Sequence, residues 1–270
     1  MKWIGTAIVF GLSAGACGND TPRCTQNCGA PLPSDLTPLS TAVDGDIEGV
    51  LLTAQPLRVG PNPVFYRFSH VSDGLPITSA VITQTPVMGM SNAAPVHTCP
   101  VSNPLRAANA DALFAGKIYF TMPAATGGTW LDQVRIVPDG AVAAHNLMFQ
   151  GFTVTPTDAV TTFTLGSTTY VTTLTFAAGS AKAGDNAFTL AVHASRPDGT
   201  YTPVSDASIA LTTSMAAMGH GSSGNNDPVF RADGEYDGVF NLSMSGAWDI
   251  AFEIRRNGAV QGTVHYFFNL

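Results

Sequence analysis

The chain repeats itself, and that limits what it can fold into more than any other feature. Asn62-Pro-Val-Phe65-Tyr-Arg-Phe-Ser-His70 returns as Asn186-Ala-Phe188-Thr-Leu-Ala-Val-His193, with both the Phe and the His pairs 123 positions apart (188 − 65 and 193 − 70). Asp73-Gly74 before Pro76 matches Asp198-Gly199 before Pro203, and Met88 and Met90 match Met215 and Met218. Phe114-Ala-Gly116 through Met122 matches Tyr236-Asp-Gly238 through Met244, an offset of 122 (244 − 122). Trp130 matches Trp248, and Asp139-Gly140-Ala-Val matches Asn257-Gly258-Ala-Val, both at 118 (248 − 130 and 257 − 139). Preserved order with small insertions is the mark of a tandem duplication. Each copy must then bury a core with about 100 residues of its own.

Each copy reads as short strands. Val64–Val71 and Ala187–Ala194 are rich in β-formers and alternate in part, and Phe114–Met122 and Tyr236–Met244 do the same. Asp139-Gly140 and Asn257-Gly258 each separate two apolar runs, a strong hairpin signal. The hairpins pair Trp130–Val137 with Ala141–Phe149 and Trp248–Arg255 with Ala259–Phe268. Opening strands at Gly49–Thr53 and Tyr170–Phe176, and others at Ile77–Thr83 and Val204–Leu211, bring each copy to about six or seven. No segment holds a helical period. The expectation is an all-β chain of two tandem immunoglobulin-like β-sandwiches, residues 47–152 and 153–270.

What precedes them reads as an address. Lys2 and the uncharged apolar run Trp3–Ala16 are too short to span a bilayer as a helix, so residues 1–16 are expected to be a signal peptide. Ala14-Gly15-Ala16-Cys17 resembles the lipobox of bacterial lipoproteins, which implies an acylated Cys17; ordinary cleavage after Ala16 is the alternative. By the same analogy Gly18 implies sorting to the outer membrane. Residues 17–46, rich in Pro, Gly and Ser, are then a flexible, lipid-anchored tether. Within it Cys24 and Cys28 fit a local disulfide in an oxidising compartment, with a metal site shared with Cys99 as the other reading. The expected location is the bacterial cell envelope, with the membrane as one partner and an envelope protein as another. Twelve Lys plus Arg against 19 Asp plus Glu give a net charge of −7 and no basic patch, which argues against nucleic acid as a partner.

The second copy runs Gly184-Asp-Asn186, then Met215-Ala-Ala-Met218-Gly-His220, Gly234-Glu-Tyr236 and Met244-Ser-Gly-Ala-Trp248. This order resembles the YtkA-like and FixH-like domains, small extracytoplasmic modules. The resemblance covers residues 184–256 well and the first copy in part. There the His after the second Met is missing, Phe114 stands for Tyr236, and His97-Thr-Cys99-Pro is inserted. The resemblance implies sandwiches, with an association to copper handling or to assembly of copper-containing oxidases.

Six of the seven methionines after the initiator fall at repeat-matched positions. Thioether sulfur is a soft, uncharged ligand suited to Cu(I), and imidazole beside it extends the range to Cu(II). Met215, Met218 and His220 on one loop, with Met244 folded back beside them, form one expected copper site. Met88 and Met90, with Met122 and either His97 or Cys99, form its counterpart. The competing reading is that these methionines fill gaps in a core. His70 and His193 lie inside strands and read as packed, hydrogen-bonded residues, and Trp130 and Trp248 as core plugs. Asp233, Glu235 and Asp237 alternate on one face, read as a solvated edge ahead of a hard-cation site. Gly219–Gly224 lacks the Lys and the strand-to-helix setting of a phosphate loop. The only nucleophile-elbow pattern, Gly11–Gly15, lies in the signal segment, so no enzyme is indicated. The sequence thus favours a copper carrier or assembly factor, with a non-catalytic interaction module as its rival.

Overall fold

Runs of β-branched and aromatic residues cut short by Gly, Pro, Asn and Asp cannot sustain helices. A computed structural model describes residues 35–90, 97–107, 112–124 and 128–270, and every helix or strand among them is a strand. They lie within one compact unit, Leu32–Leu270. The signal segment, Cys17, Cys24 and Cys28 lie outside the described residues.

The first half holds β1 (Thr37–Asp44), β2 (Ile47–Thr53), β3 (Gly60–His70), β4 (Ala80–Met90), β5 (His97–Thr98), β6 (Arg106–Ala107), β7 (Leu113–Phe120), β8 (Gly128–Pro138) and β9 (His145–Phe152). One sheet runs β1-β2-β3-β7-β6 and the other β5-β4-β8-β9, both antiparallel throughout. Between them sits one core that includes Leu51, Tyr66, Phe68, Ile82, Phe120, Trp130, Ile136 and Phe149.

The second half holds β10 (Val160–Leu165), β11 (Thr168–Phe176), β12 (Gly184–Ser195), β13 (Tyr201–Pro203), β14 (Ala207–Ser214), β15 (Asn226–Ala232), β16 (Glu235–Leu242), β17 (Ala247–Arg256) and β18 (Ala259–Asn269). Its sheets run β10-β11-β12-β16-β15, with β13 against β12, and β14-β17-β18. A separate core, including Leu190, Val192, Phe240, Trp248, Phe252 and Ile254, fills the space between them. Apart from β5 and β13, which have no counterpart, the strand order follows that of the first half.

Local signals explain several details. The Asn257-Gly258 turn has positive φ at both residues, 50° and 77°, as a two-residue hairpin requires, and it joins β17 to β18. Asn62 and Asn186 open β3 and β12 in the same way. Each takes the backbone N–H four residues earlier on Oδ1 (2.9 and 2.8 Å) and donates through Nδ2 to the carbonyl of that same residue. Residues 37–44, read from sequence as the end of a tether, instead form β1. Its register with β2 runs from Thr37–Thr53 to Asp44–Ile47, and Asp44 Oδ2 also accepts from the Asn146 N–H of β9 at 2.7 Å. The strand is half exposed and only weakly alternating, so its backbone pairing holds it without a hydrophobic signature.

The halves meet across the outward faces of β7 and of β12 with β16. Glu235, 7% exposed, accepts from the Tyr119 hydroxyl at 2.8 Å and from Lys117 on Oε1, and from Arg231 on Oε2 at 2.5 Å. The Tyr119 ring lies 4.5 Å from that of buried His193. Of the alternating acidic face, Asp233 and Asp237 are exposed as expected, but Glu235 is not a solvated edge residue. The other half covers it.

Candidate functional site

β14 ends at Ser214, paired with Asp249 beside Trp248. The chain then turns tightly. The Met218 and Gly219 N–H groups both donate to the Met215 carbonyl at 3.0 Å, and the Met215 N–H donates to the His220 carbonyl at 2.8 Å. Met215 and His220 thus form an antiparallel bridge, which places their side chains together on one face, with Cβ atoms about 5 Å apart.

That face meets Trp248. The His220 ring stands edge-on to the indole, centroids 6.3 Å apart at 69°. Trp248 is fully buried and donates through Nε1 to the Met244 carbonyl at 2.9 Å, which ties the Met244 turn to the same spot. Gly246 lets the Met215 thioether in. A Cβ there would lie 3.0 Å from Met215 Cε and 3.7 Å from Sδ, and its φ of +136° suits glycine alone.

The imidazole is oriented as a ligand would be. His220 Nδ1 lies 3.0 Å from the Gly221 carbonyl, which can only accept. The proton of the neutral ring is therefore on Nδ1, and Nε2 keeps its lone pair. Downstream, a polar network fixes the loop. Asn225 Nδ2 donates to Thr213 Oγ1 (2.9 Å) and the Ser222 carbonyl (3.0 Å), while its Oδ1 accepts from the Asn241 N–H (3.0 Å). The Ser222 N–H donates to Thr213 Oγ1 at 3.1 Å. Thr213, Ser222, Asn225 and Asn241 escaped the sequence reading. Ser and Asn next to Gly in a polar loop were the only trace of them.

The other expected ligands scatter more. Met215 is 4% exposed and belongs to the second core, whereas Met218 (60%) and Met244 (40%) project to solvent. In the first half Met88 faces His97 across β4–β5 and Trp130 across β4–β8. Trp130 donates through Nε1 to the Met122 carbonyl at 3.1 Å, the same contact that Trp248 makes with Met244. Met88 is 1% exposed and sits deep in the first core, and Met122 packs against it. Cys99 is a free, buried thiol in that core, and burial pushes its pKa well up, away from the thiolate a metal would need. Met90 lies in β4, but its side chain falls outside what is described. Among the described residues no group of three or more His, Cys, Asp or Glu could hold a metal.

Comparison with known proteins follows this geometry. No curated protein matches the chain. A conserved domain protein from Bacillus anthracis is similar over 88% of this chain and 91% of its own, at 9% identity and a TM-score of 0.33. Domains 5–6 of the S-layer protein SbsC are similar over 86% of this chain and 97% of theirs, at 10% identity and a TM-score of 0.28. Residues 164–253, which run from the end of β10 into β17 and include the Met215–His220 loop and Trp248, match the model of the YtkA-like family.

Proposed function

We propose that the chain is an extracytoplasmic lipoprotein carrying the YtkA-like unit twice, and that its second half binds copper as a carrier or assembly factor. The observation that carries this reading is the side-by-side placement of Met215 and His220, with Nδ1 tied to the Gly221 carbonyl and the imidazole packed 6.3 Å from the buried indole of Trp248. Met215 and His220 would hold the ion, and exposed Met218 on the same turn, with Met244, whose carbonyl takes the Trp248 N–H, would complete a soft set. Thioethers stay uncharged at any pH, so such a set favours Cu(I) over the hard cations of an extracellular medium. The matching strand order and the paired Trp contacts of the two halves support the duplication. The location in the envelope rests on the signal segment and Cys17.

Titration of Cu(I) into the full chain, against a competing chromophoric chelator, tests this. One saturable site is expected, weakened at least about tenfold when Met215→Leu, Met218→Leu and His220→Ala are combined. Burial of Met88 and Met215 favours a second reading, a non-catalytic interaction module in which methionines only pack. On that reading the triple variant loses stability and shows no change with copper.

A further inference from the structure

Polar groups are rare in the two cores, and the first half places three together where the second has none. Tyr66 on β3, Gln84 on β4 and Asp132 on β8 are each fully buried. By strand register, which shifts β3 against β12 by one residue from the sequence match (Tyr66 pairs with Phe114 as Leu190 pairs with Tyr236), the counterparts in the second half are Leu190, Leu211 and Ile250, all apolar. The Tyr66 hydroxyl lies 2.9 Å from Gln84 Oε1 and against Asp132 Oδ2, bridging one sheet to the other. Gln84 cannot be turned round, because its Nε2 donates to the carbonyls of Ser102 and Lys117 at 3.2 Å each. Its Oε1 must accept.

The proton count then favours a protonated Asp132. A hydroxyl has one hydrogen, and here it meets two acceptors if Asp132 is a carboxylate. With Asp132 ionised, the Tyr66 hydroxyl and the Thr85 backbone N–H both serve the carboxylate, and the buried Gln84 Oε1 goes without a donor. A proton on Asp132 completes the chain: Oδ2–H donates to Tyr66, and Tyr66 donates to Gln84. The remaining oxygen, Oδ1, has no partner, a lapse that a neutral carbonyl tolerates and a carboxylate does not.

We propose that Asp132 is held as a neutral acid that latches the two sheets of the first half, so that this half alone loosens as pH rises. The groups facing it are Tyr66 from β3, uncharged Gln84 from β4, Phe149 from β9 and, beyond β5, the protonated Cys99 thiol. From β7 comes the Lys117 carbonyl, while the Lys117 ammonium is engaged with Glu235. No basic side chain among the described residues offsets the charge. Burial pushes the Asp132 pKa up to about 7, against the pull of the Tyr66 hydroxyl and the Thr85 backbone N–H. A carboxyl whose folded pKa is raised binds more protons folded than unfolded. Stability is therefore lost as pH climbs from about 4, the unfolded value, to about 7.

The test compares wild type with Asp132→Asn, a neutral group of the same shape, by thermal melting at about pH 5 and about pH 8. The wild-type midpoint is expected to fall between the two by at least about 5 °C more than that of the variant. Equal falls would overturn the proposal. If the variant does not fold, the 13C resonance of the Asp132 carboxyl in the wild-type chain decides. A titration midpoint near 7 supports the latch, and one near 4 removes it. Hydrogen exchange at the two pH values should show faster opening at high pH in β3, β4 and β8 but not in β12, β14 and β17; uniform change would also count against it.

Discussion

Trp130 and Trp248 do two jobs at once. Each fills a core with no exposed surface, and each spends its one donor on the carbonyl of the methionine turn before it. Replacing Trp248 with Phe keeps most of the apolar volume but leaves the Met244 carbonyl unpaired. The expected cost is about 1–3 kcal/mol in urea unfolding. Both tryptophans could be read from sequence, since a Trp recurring at the start of a hairpin strand belongs to its buried face. Asp132 was equally visible and was passed over. In Trp130-Leu-Asp132-Gln-Val134 the alternation points Asp132 inward with its two apolar neighbours, and a charge at an apolar position is itself a signal. The Thr213–Ser222–Asn225–Asn241 network left no such trace. Its bonds join residues far apart in the chain, and no periodicity encodes them.

Elements with a strong pattern were legible: the Asn257-Gly258 hairpin, β3 and β12, and β7 and β16. At Asp139-Gly140 the hairpin was legible, but its second strand begins at His145 and not at Ala141, because residues 139–144 form a wider loop. Those missed were edge pieces, chiefly β1 and β15. Edge strands are held by one ladder and show water their other side, so their composition looks like a loop's. That makes β1 a test of the difference. A chain beginning after Asp44 keeps every residue of the first core from Ile47 on, yet uncovers the β2 edge and frees the Asn146 N–H. Such a chain is expected to self-associate on size-exclusion chromatography, whereas one beginning at Asp35 stays monodisperse. At the Met215 turn the requirement is local. Gly246→Ala adds a Cβ at a φ foreign to alanine and presses on the thioether. A loss of about 1–3 kcal/mol is expected in the same unfolding assay.

Across the whole molecule, one buried acid sits at the junction of the halves, beside the exposed Arg106–Asp233 pair and the Thr98 hydroxyl on the Gly199 carbonyl. Burial would raise the Glu235 pKa, but Lys117, Tyr119 and Arg231 together hold it below the usual carboxylate range. Burial drives the pKa of His193 down to about 3, so its ring is neutral in the fold. Both shifts have the same sign for stability. Their contribution is present at neutral pH and is lost as pH falls, from about 6.5 for His193 and from about 4 for Glu235. Acid should therefore part the halves before it melts either core. Small-angle scattering at about pH 3.5 is expected to report a larger radius with β-sheet circular dichroism retained. Glu235→Gln, which leaves Lys117 partly buried without its counter-charge, should shift that expansion to higher pH.

Leu270 extends the β17–β18 ladder by one pair, exchanging two 3.1 Å hydrogen bonds with Gly246. Anything fused after that residue departs next to Gly246, against which the Met215 thioether packs. If the second half binds copper as proposed, a polyhistidine purification handle placed there would bring competing imidazoles close to Met215. Handles for copper work belong elsewhere on the surface, such as the open Ala141–Ala143 turn between β8 and β9.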